Sequence, residues 1–154
     1  MAQIQRVEGQ VELKCHANKF FDIWACKTHH IPNIIPNQIS KIELHDGEWD
    51  KVGALLKWTY VLNDSKLTIR TKVEELEVKN KKMKYSYPDG FIAKNIKSHM
   101  HAIPKEDGSG CIVKWAFEYE KMNNAEGDLP EAKIYIDYLL ELAKGIDAHL
   151  CSHA

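Results

Sequence analysis

The sequence predicts an α+β fold in which a curved, seven-stranded antiparallel sheet surrounds one long carboxyl-terminal helix. Through most of the chain, apolar residues alternate with polar ones, which is typical of half-buried strands. Short turn sequences separate these segments, so successive strands are expected to pair antiparallel. The last part of the chain changes to a three- and four-residue repeat, which is typical of an amphipathic helix.

The first strand is predicted over residues 5–15. Two short helices are predicted after it, over residues 18–26 and 28–35. The ends of the second are set by Pro32 and Pro36, because proline disrupts a helix interior. Two short helices therefore interrupt the strands early in the chain.

Six further strands are predicted, at residues 39–44, 55–62, 67–78, 83–87, 91–103 and 111–120. The last has the clearest alternation, since Val113, Trp115, Phe117 and Tyr119 share one face. The turns between the strands are rich in glycine, proline, asparagine and aspartate. This order indicates an antiparallel meander.

The carboxyl-terminal helix is expected to be capped by Asp128, with Pro130 in its first turn. The sheet is the only partner large enough to bury its apolar stripe. The stripe consists of Ile134, Tyr135, Tyr138, Leu139, Leu142, Ile146 and Leu150. With one sheet and one long helix, the chain of 154 residues is predicted to form a single domain, residues 1–154.

Acidic and basic side chains nearly cancel, with a formal net charge of -1. A protein held to nucleic acid by its phosphates needs a basic excess, so no nucleic-acid partner is predicted. No signal peptide and no apolar run of about 20 residues is found, so we expect a cytoplasmic protein without a membrane partner. It is expected to be a monomer or a weak dimer. Four scattered cysteines without a CxxC pair predict free thiols.

Four stretches of the sequence carry a family resemblance: KIELHDGEW at 41–49, residues 52–58, WAFEYEKM at 115–122 and IDAHL at 146–150. With the order of elements, they resemble the major latex proteins, a plant branch of the birch-pollen-allergen (Bet v I) superfamily. The resemblance implies the helix-grip fold, with a large cavity between the sheet and the carboxyl-terminal helix. It also implies a small hydrophobic molecule as the binding partner.

The loop from His45 to Gly53 departs from the superfamily, which often has a glycine-rich loop here that is similar to a phosphate-binding loop. Only Gly47 and Gly53 are present, with additional acidic residues. Backbone N–H groups that hold phosphate must be closely spaced and free of nearby carboxylates. Nucleotide binding is therefore not expected, and Trp49 is predicted to pack over the loop.

Ligand-binding residues are predicted by taking the more apolar face of each strand as the inner face. Buried hydroxyls among them need partners, and a few polar groups commonly orient a ligand between apolar walls. Any of these aromatic residues can also be an ordinary core residue. The predicted set is Phe20, Trp24, Ile35, Trp58, Ile69, Tyr85, Tyr87, Lys94, Ile96, Trp115, Phe117, Tyr119, Tyr135, Tyr138 and Leu142.

The strand predicted at residues 91–103 is ambiguous. Its more apolar face, which includes Lys94, is predicted to point inward, and Phe91 is then expected to face outward. His99 and His101 share that outer face with no carboxylate evident beside them, so no metal site is predicted.

Two functions are open at this stage. The first is an intracellular binding protein for a terpenoid, sterol, alkaloid or hormone-like molecule. The alternative is a cofactor-free cyclase or isomerase of iridoid or alkaloid type, in which Lys94 with a tyrosine hydroxyl, or a histidine near the entrance, acts as acid or base. No standard catalytic motif is present, and no catalytic residue or cofactor is assigned.

Overall fold

The computed structural model describes residues 3–92, 95–121 and 130–152, and they form the predicted α+β fold. Seven antiparallel strands make one sheet in the spatial order β1-β7-β6-β5-β4-β3-β2. A long helix, α3 (Pro130–Ser152), packs mainly against β1 and β7. The strands are β1 (Gln3–Leu13), β2 (Ile39–Asp46), β3 (Leu55–Leu62), β4 (Ser65–Glu77), β5 (Lys82–Ser86), β6 (Lys97–Pro104) and β7 (Cys111–Lys121).

The segment between β1 and β2 is helical, as predicted, but besides two short α-helices it contains a π-helical turn and a 3₁₀ turn. α1 (Ala17–Phe21) continues into a π-helical turn, Asp22–Cys26. A 3₁₀ turn, Thr28–His30, then leads into α2 (Ile31–Ile34). π-Helical turns are rare and often occur at functional sites.

β3 and β4 are joined by a two-residue turn at Asn63 and Asp64, both with positive φ, 52° and 65°. Asparagine and aspartate tolerate this conformation, and its twist matches that of the strands. β5 is short and pairs with β4 only over residues 72–77. The first half of β4, residues 65–71, therefore has a strand partner on one side only.

β6 begins at Lys97, so the prediction of a strand over residues 91–103 is wrong in its first part. Asn95 has φ of 53°, in the left-handed region, which an extended strand cannot include. From Ser98 onward the predicted inner face is confirmed, because Ser98, Met100 and Ala102 are buried.

The buried face of α3 is centred on Ala132, Ile136 and Ala143. It lies close to β1 because Gly9 has no side chain: a Cβ there would be 2.6 Å from the Ile136 Cγ2 atom. The prediction that Ile134 belongs to the buried stripe is wrong, since it is 46% exposed. It lies two residues, roughly 200° of helical rotation, from both Ala132 and Ile136. The predicted cap Asp128 lies outside the described residues.

Asp147 near the end of α3 holds the chain that follows β1. Its carboxylate accepts hydrogen bonds from the backbone N–H of Lys14, at 3.0 Å, and of Cys15, at 2.8 Å. Burial alone would raise the pKa of Asp147, but these hydrogen bonds outweigh it and hold the pKa below its ordinary value. The helix is thus fastened to the sheet by a charged acceptor.

All four cysteines are free thiols, as predicted. Among the described helices, none is long and apolar enough to cross a lipid bilayer.

Candidate functional site

A pocket of about 80 Å³ lies between α3 and the inner face of the sheet. Most of the predicted ligand-binding residues meet there, because strand alternation places them on one face and the helix repeat directs its tyrosines toward them. The predicted residues that line the pocket are Trp24, Trp58, Ile69, Tyr85, Tyr87, Trp115, Phe117, Tyr135, Tyr138 and Leu142.

Trp24, from the π-helical turn, lies at the centre of an aromatic cluster. Its ring centroid is 5.1 Å from that of Trp115 in an edge-to-face arrangement and 5.5 Å from that of Trp58. Its backbone carbonyl accepts a 2.7 Å hydrogen bond from the Thr28 hydroxyl, which secures the turn. Such ring pairs contribute stability beyond their buried area.

Four predicted residues are buried elsewhere and do not line the pocket. Phe20 packs behind Trp24, stacked on it at 6.2 Å. Ile35 lies under α3, where its Cγ2 is 2.8 Å from the position a Cβ on Gly145 would take. Ile96 and Tyr119 lie beyond Phe117 along the sheet, as the pairing of Lys97 with Glu118 indicates.

Lys94 lies outside the described residues, so its predicted place near the pocket stays a prediction.

Six further residues line the pocket and were not in the predicted set: Ile39, Tyr60, Thr71, Phe91, Ser98 and Leu139. Phe91 was expected to face outward, and this prediction is wrong. Asn95, with φ of 53°, lies between Phe91 and β6 and interrupts the extended backbone, so the alternation of β6 does not apply to Phe91.

The large cavity implied by the resemblance is not open in this structure. About 80 Å³ is the volume of two or three water molecules, whereas pockets for small molecules usually have about 300–1,000 Å³.

A wider groove of about 760 Å³ lies directly outside the pocket. Tyr60, Ile69, Phe91 and Tyr135 line both spaces, and they therefore form the wall between them. We call these four residues the dividing wall. The groove borders the half of β4 that has no strand partner on its second side.

Two sets of contacts join the side chains of the dividing wall to each other and to Tyr87. The hydroxyls of Tyr60 on β3 and Tyr135 on α3 are hydrogen-bonded at 2.7 Å. The Phe91 ring packs against Tyr135 at 4.6 Å and stacks on Tyr87 at 4.9 Å. The dividing wall thus brings together side chains from β3, β4, α3 and the segment before β6.

An ion pair fixes the segment that carries Phe91. The Arg70 guanidinium donates to both carboxylate oxygens of Asp89, at 2.5 and 2.6 Å. This bidentate pairing raises the pKa of Arg70 and lowers that of Asp89.

The hydroxyls of four pocket tyrosines, Tyr60, Tyr85, Tyr87 and Tyr138, are neutral at physiological pH. Burial raises the pKa of Tyr138 to about 12. It also raises the pKa values of Tyr60, Tyr85 and Tyr87. No charged side chain lines the pocket within the part of the chain that the structure describes. The site therefore offers apolar surface and neutral hydrogen-bonding groups.

His99 lies on the outer face of the sheet, as expected, but a carboxylate is beside it. Its Nε2 is 2.5 Å from Glu118 Oε1, so the expectation that no carboxylate accompanies the histidines is wrong. Burial lowers the pKa of His99 more than the attraction of Glu118 raises it. Within residues 3–92, 95–121 and 130–152, no group of three side chains is arranged to hold a metal ion.

The fold and the aromatic pocket define a helix-grip protein, and comparison with known proteins gives the family. The chain belongs to the pathogenesis-related protein Bet v 1 family, whose model matches residues 2–153. The resemblance to the major latex proteins is thereby supported at the level of the family.

Sequence comparison with curated proteins identifies relatives among the major latex proteins. The chain is 31% identical to MLP-like protein 43 of Arabidopsis thaliana, over 96% of this chain and 93% of that protein. It is 32% identical to MLP-like protein 34 of the same plant over 95% of this chain, but spans only 46% of that protein. It is also 26% identical to major latex protein 146 of Papaver somniferum. These matches confirm the predicted relationship to the major latex proteins of plants.

Solved structures confirm the fold. The ginseng major latex-like protein 151 of Panax ginseng superposes with a TM-score of 0.83 and 27% identity, over 95% of this chain and 97% of that one. A norcoclaurine synthase of Thalictrum flavum superposes with a TM-score of 0.73 at 16% identity. The second likeness shows a shared fold only.

Proposed function

We propose that this protein is an intracellular binding protein that holds a small hydrophobic metabolite in the pocket between α3 and the sheet. The observation that supports it best is a pocket of aromatic rings with neutral hydrogen-bonding groups, which shares four lining residues with an open groove. Terpenoid, sterol, alkaloid and hormone-like molecules have the matching chemistry: a large apolar surface and a few neutral polar atoms.

Binding requires the dividing wall to open, because the pocket is smaller than such a ligand. Opening breaks one hydroxyl pair, Tyr60 with Tyr135, which costs about 1 kcal/mol. A ligand that buries about 300 Å² of apolar surface gains several kcal/mol, at about 25 cal/mol per Å². Part of this gain is offset by the loss of ligand freedom.

The test compares two tryptophan substitutions on opposite faces of neighbouring strands. Ile69→Trp is expected to fill the dividing wall and to weaken binding of N-phenyl-1-naphthylamine at least about tenfold, a loss of about 1.4 kcal/mol. Thr59→Trp, on the outer face of β3, is expected to leave the affinity within about twofold of the wild type. Affinities are measured from the dye's fluorescence.

Equal weakening by both variants, or by neither, would contradict binding in this pocket. Absence of dye binding at high micromolar protein would contradict the proposed function itself. Urea denaturation of both variants establishes that they are folded.

The catalytic alternative has less support. A cyclase or isomerase without cofactor needs an acid or base that titrates near neutral pH. Burial raises the pKa values of Tyr60 and Tyr87, so the hydroxyls of these two residues do not act as bases. Incubation with reactive iridoid or alkaloid intermediates tests this alternative, which requires product ratios that differ with and without the protein.

A further inference from the structure

Two buried polar atoms of pocket-lining residues have no hydrogen-bond partner within the described residues: Trp24 Nε1 and Tyr85 Oη. The side chains are almost fully buried, at 2% and 5% exposure. Buried polar groups are nearly always paired, so each exception needs an explanation.

The other polar groups of the pocket are paired. Trp58 Nε1 donates to Thr71 Oγ1 at 2.9 Å, and Tyr87 Oη donates to Ser98 Oγ at 3.0 Å. Tyr138 Oη donates to the backbone carbonyl of Gln38 at 3.0 Å. The two unpaired atoms therefore stand out within one site, and they are not a general property of its lining.

The two unpaired groups are close to each other. Burial raises the pKa of Tyr85, and the approach of the Trp24 N–H partly opposes that rise. The approach does not meet the geometry of a hydrogen bond. Trp24 is held by its ring neighbours and by Thr28, while Tyr85 is held on β5. Packing thus fixes both side chains before a ligand arrives.

The donor chemistry specifies what fits between them. The indole N–H of Trp24 only donates, so its partner must be an acceptor, and the Tyr85 hydroxyl can donate as well. A carbonyl oxygen has two lone pairs and can accept from both. A carboxylate would be buried without a cation, which is unfavourable because no charged side chain lines the described pocket.

We propose that Trp24 and Tyr85 form a two-donor site for the carbonyl oxygen of a neutral, ring-containing ligand. This inference rests on the proposed function, because it describes how the same pocket orients its ligand. It narrows the ligand class from apolar metabolites in general to those that carry a ketone, aldehyde, ester or lactone carbonyl.

The test uses a pair of planar probes that differ by one carbonyl, 9-fluorenone and fluorene, with affinities measured by equilibrium dialysis. Tyr85→Phe is expected to weaken fluorenone binding about five- to tenfold, the loss of about one hydrogen bond, and to leave fluorene within about twofold. Tyr119→Phe is the matched control, since Tyr119 is buried on the same sheet but does not line the pocket. It is expected to leave the ratio of the two affinities unchanged.

The two proposals fail in different ways. If both probes bind and Tyr85→Phe leaves their ratio unchanged, the carbonyl site is overturned and the proposed function stands. If neither probe binds, the proposed function is overturned, and the carbonyl site with it.

A second measurement needs no ligand. Tyr85→Phe is expected to leave the melting temperature unchanged or to raise it, because the hydroxyl it removes is unpaired in the free protein. Tyr87→Phe is expected to lower it, since Ser98 loses its partner. An equal decrease in both variants would show that the Tyr85 hydroxyl is already paired, and would overturn the proposal.

Discussion

Replacing Trp115 with alanine is expected to lower the free energy of unfolding by about 3–5 kcal/mol. Trp115 is 2% exposed and lies on β7, where its ring contacts those of Phe20 and Trp24. The substitution removes a large buried ring and leaves a void that the rigid sheet cannot close. Urea denaturation followed by circular dichroism gives the free energy of unfolding and its dependence on urea.

Trp49→Ala is the matched control, because it makes the same substitution at a half-buried loop position. Trp49 packs against His29, with ring centroids 4.8 Å apart, and against the edge of the core. We expect a loss below about 2 kcal/mol, since less of the ring is buried. Equal losses in the two variants would show that the aromatic cluster around Trp24 does not dominate the stability of the fold.

Asp147→Ala is expected to lower the free energy of unfolding at pH 7 by about 1–2 kcal/mol. It removes the acceptor of two backbone N–H groups: that of Cys15 is part-buried, where an unpaired group costs about 1–3 kcal/mol, and that of Lys14 is exposed and can bind water instead. The same measurement on Asp137→Ala is the control. Asp137 lies on the same helix in an exposed ion pair with Lys133, so its loss is expected to stay below about 0.5 kcal/mol.

The contribution of Asp147 is also expected to depend on pH. Its pKa is lower in the folded protein than its ordinary value of 3.8, so the carboxylate stabilises the fold above that value. The contribution is lost as pH falls below 3.8 through the folded pKa. The difference between the wild type and Asp147→Ala should therefore be smaller at pH 3 than at pH 7. A difference that does not change with pH would mean that the charge of Asp147 is not responsible.

The sequence pattern predicts the order of elements because alternation and the helix repeat are local properties. It fails where a single residue changes the backbone. The left-handed conformation of Asn95 stops β6 from extending back to residue 91, and a stretch of alternating residues does not reveal it. The exposure of Ile134 has a different cause: an apolar residue at the margin of a helical stripe is buried only if a neighbour covers it.

The site is predictable in part, for a related reason. Alternation identifies which residues share the inner face, and this places Trp58, Tyr85 and Phe117 correctly on the pocket. It does not say how far along the strand a residue lies, so Ile96 and Tyr119 share the face but not the pocket. The pocket's small volume depends on ring orientations across several elements, and these follow from tertiary packing.

The shortness of β5 has a consequence for how fast a ligand could exchange. The groove reaches the pocket beside the half of β4 that pairs with β3 alone. Under the proposed function, a ligand that passes there displaces side chains such as Phe91 and Tyr135 and leaves the hydrogen bonds between strands in place. Side-chain rotations are much faster than local unfolding. Amide hydrogen exchange in β3 and β4 is therefore expected to be as slow while a ligand exchanges as it is in the free protein.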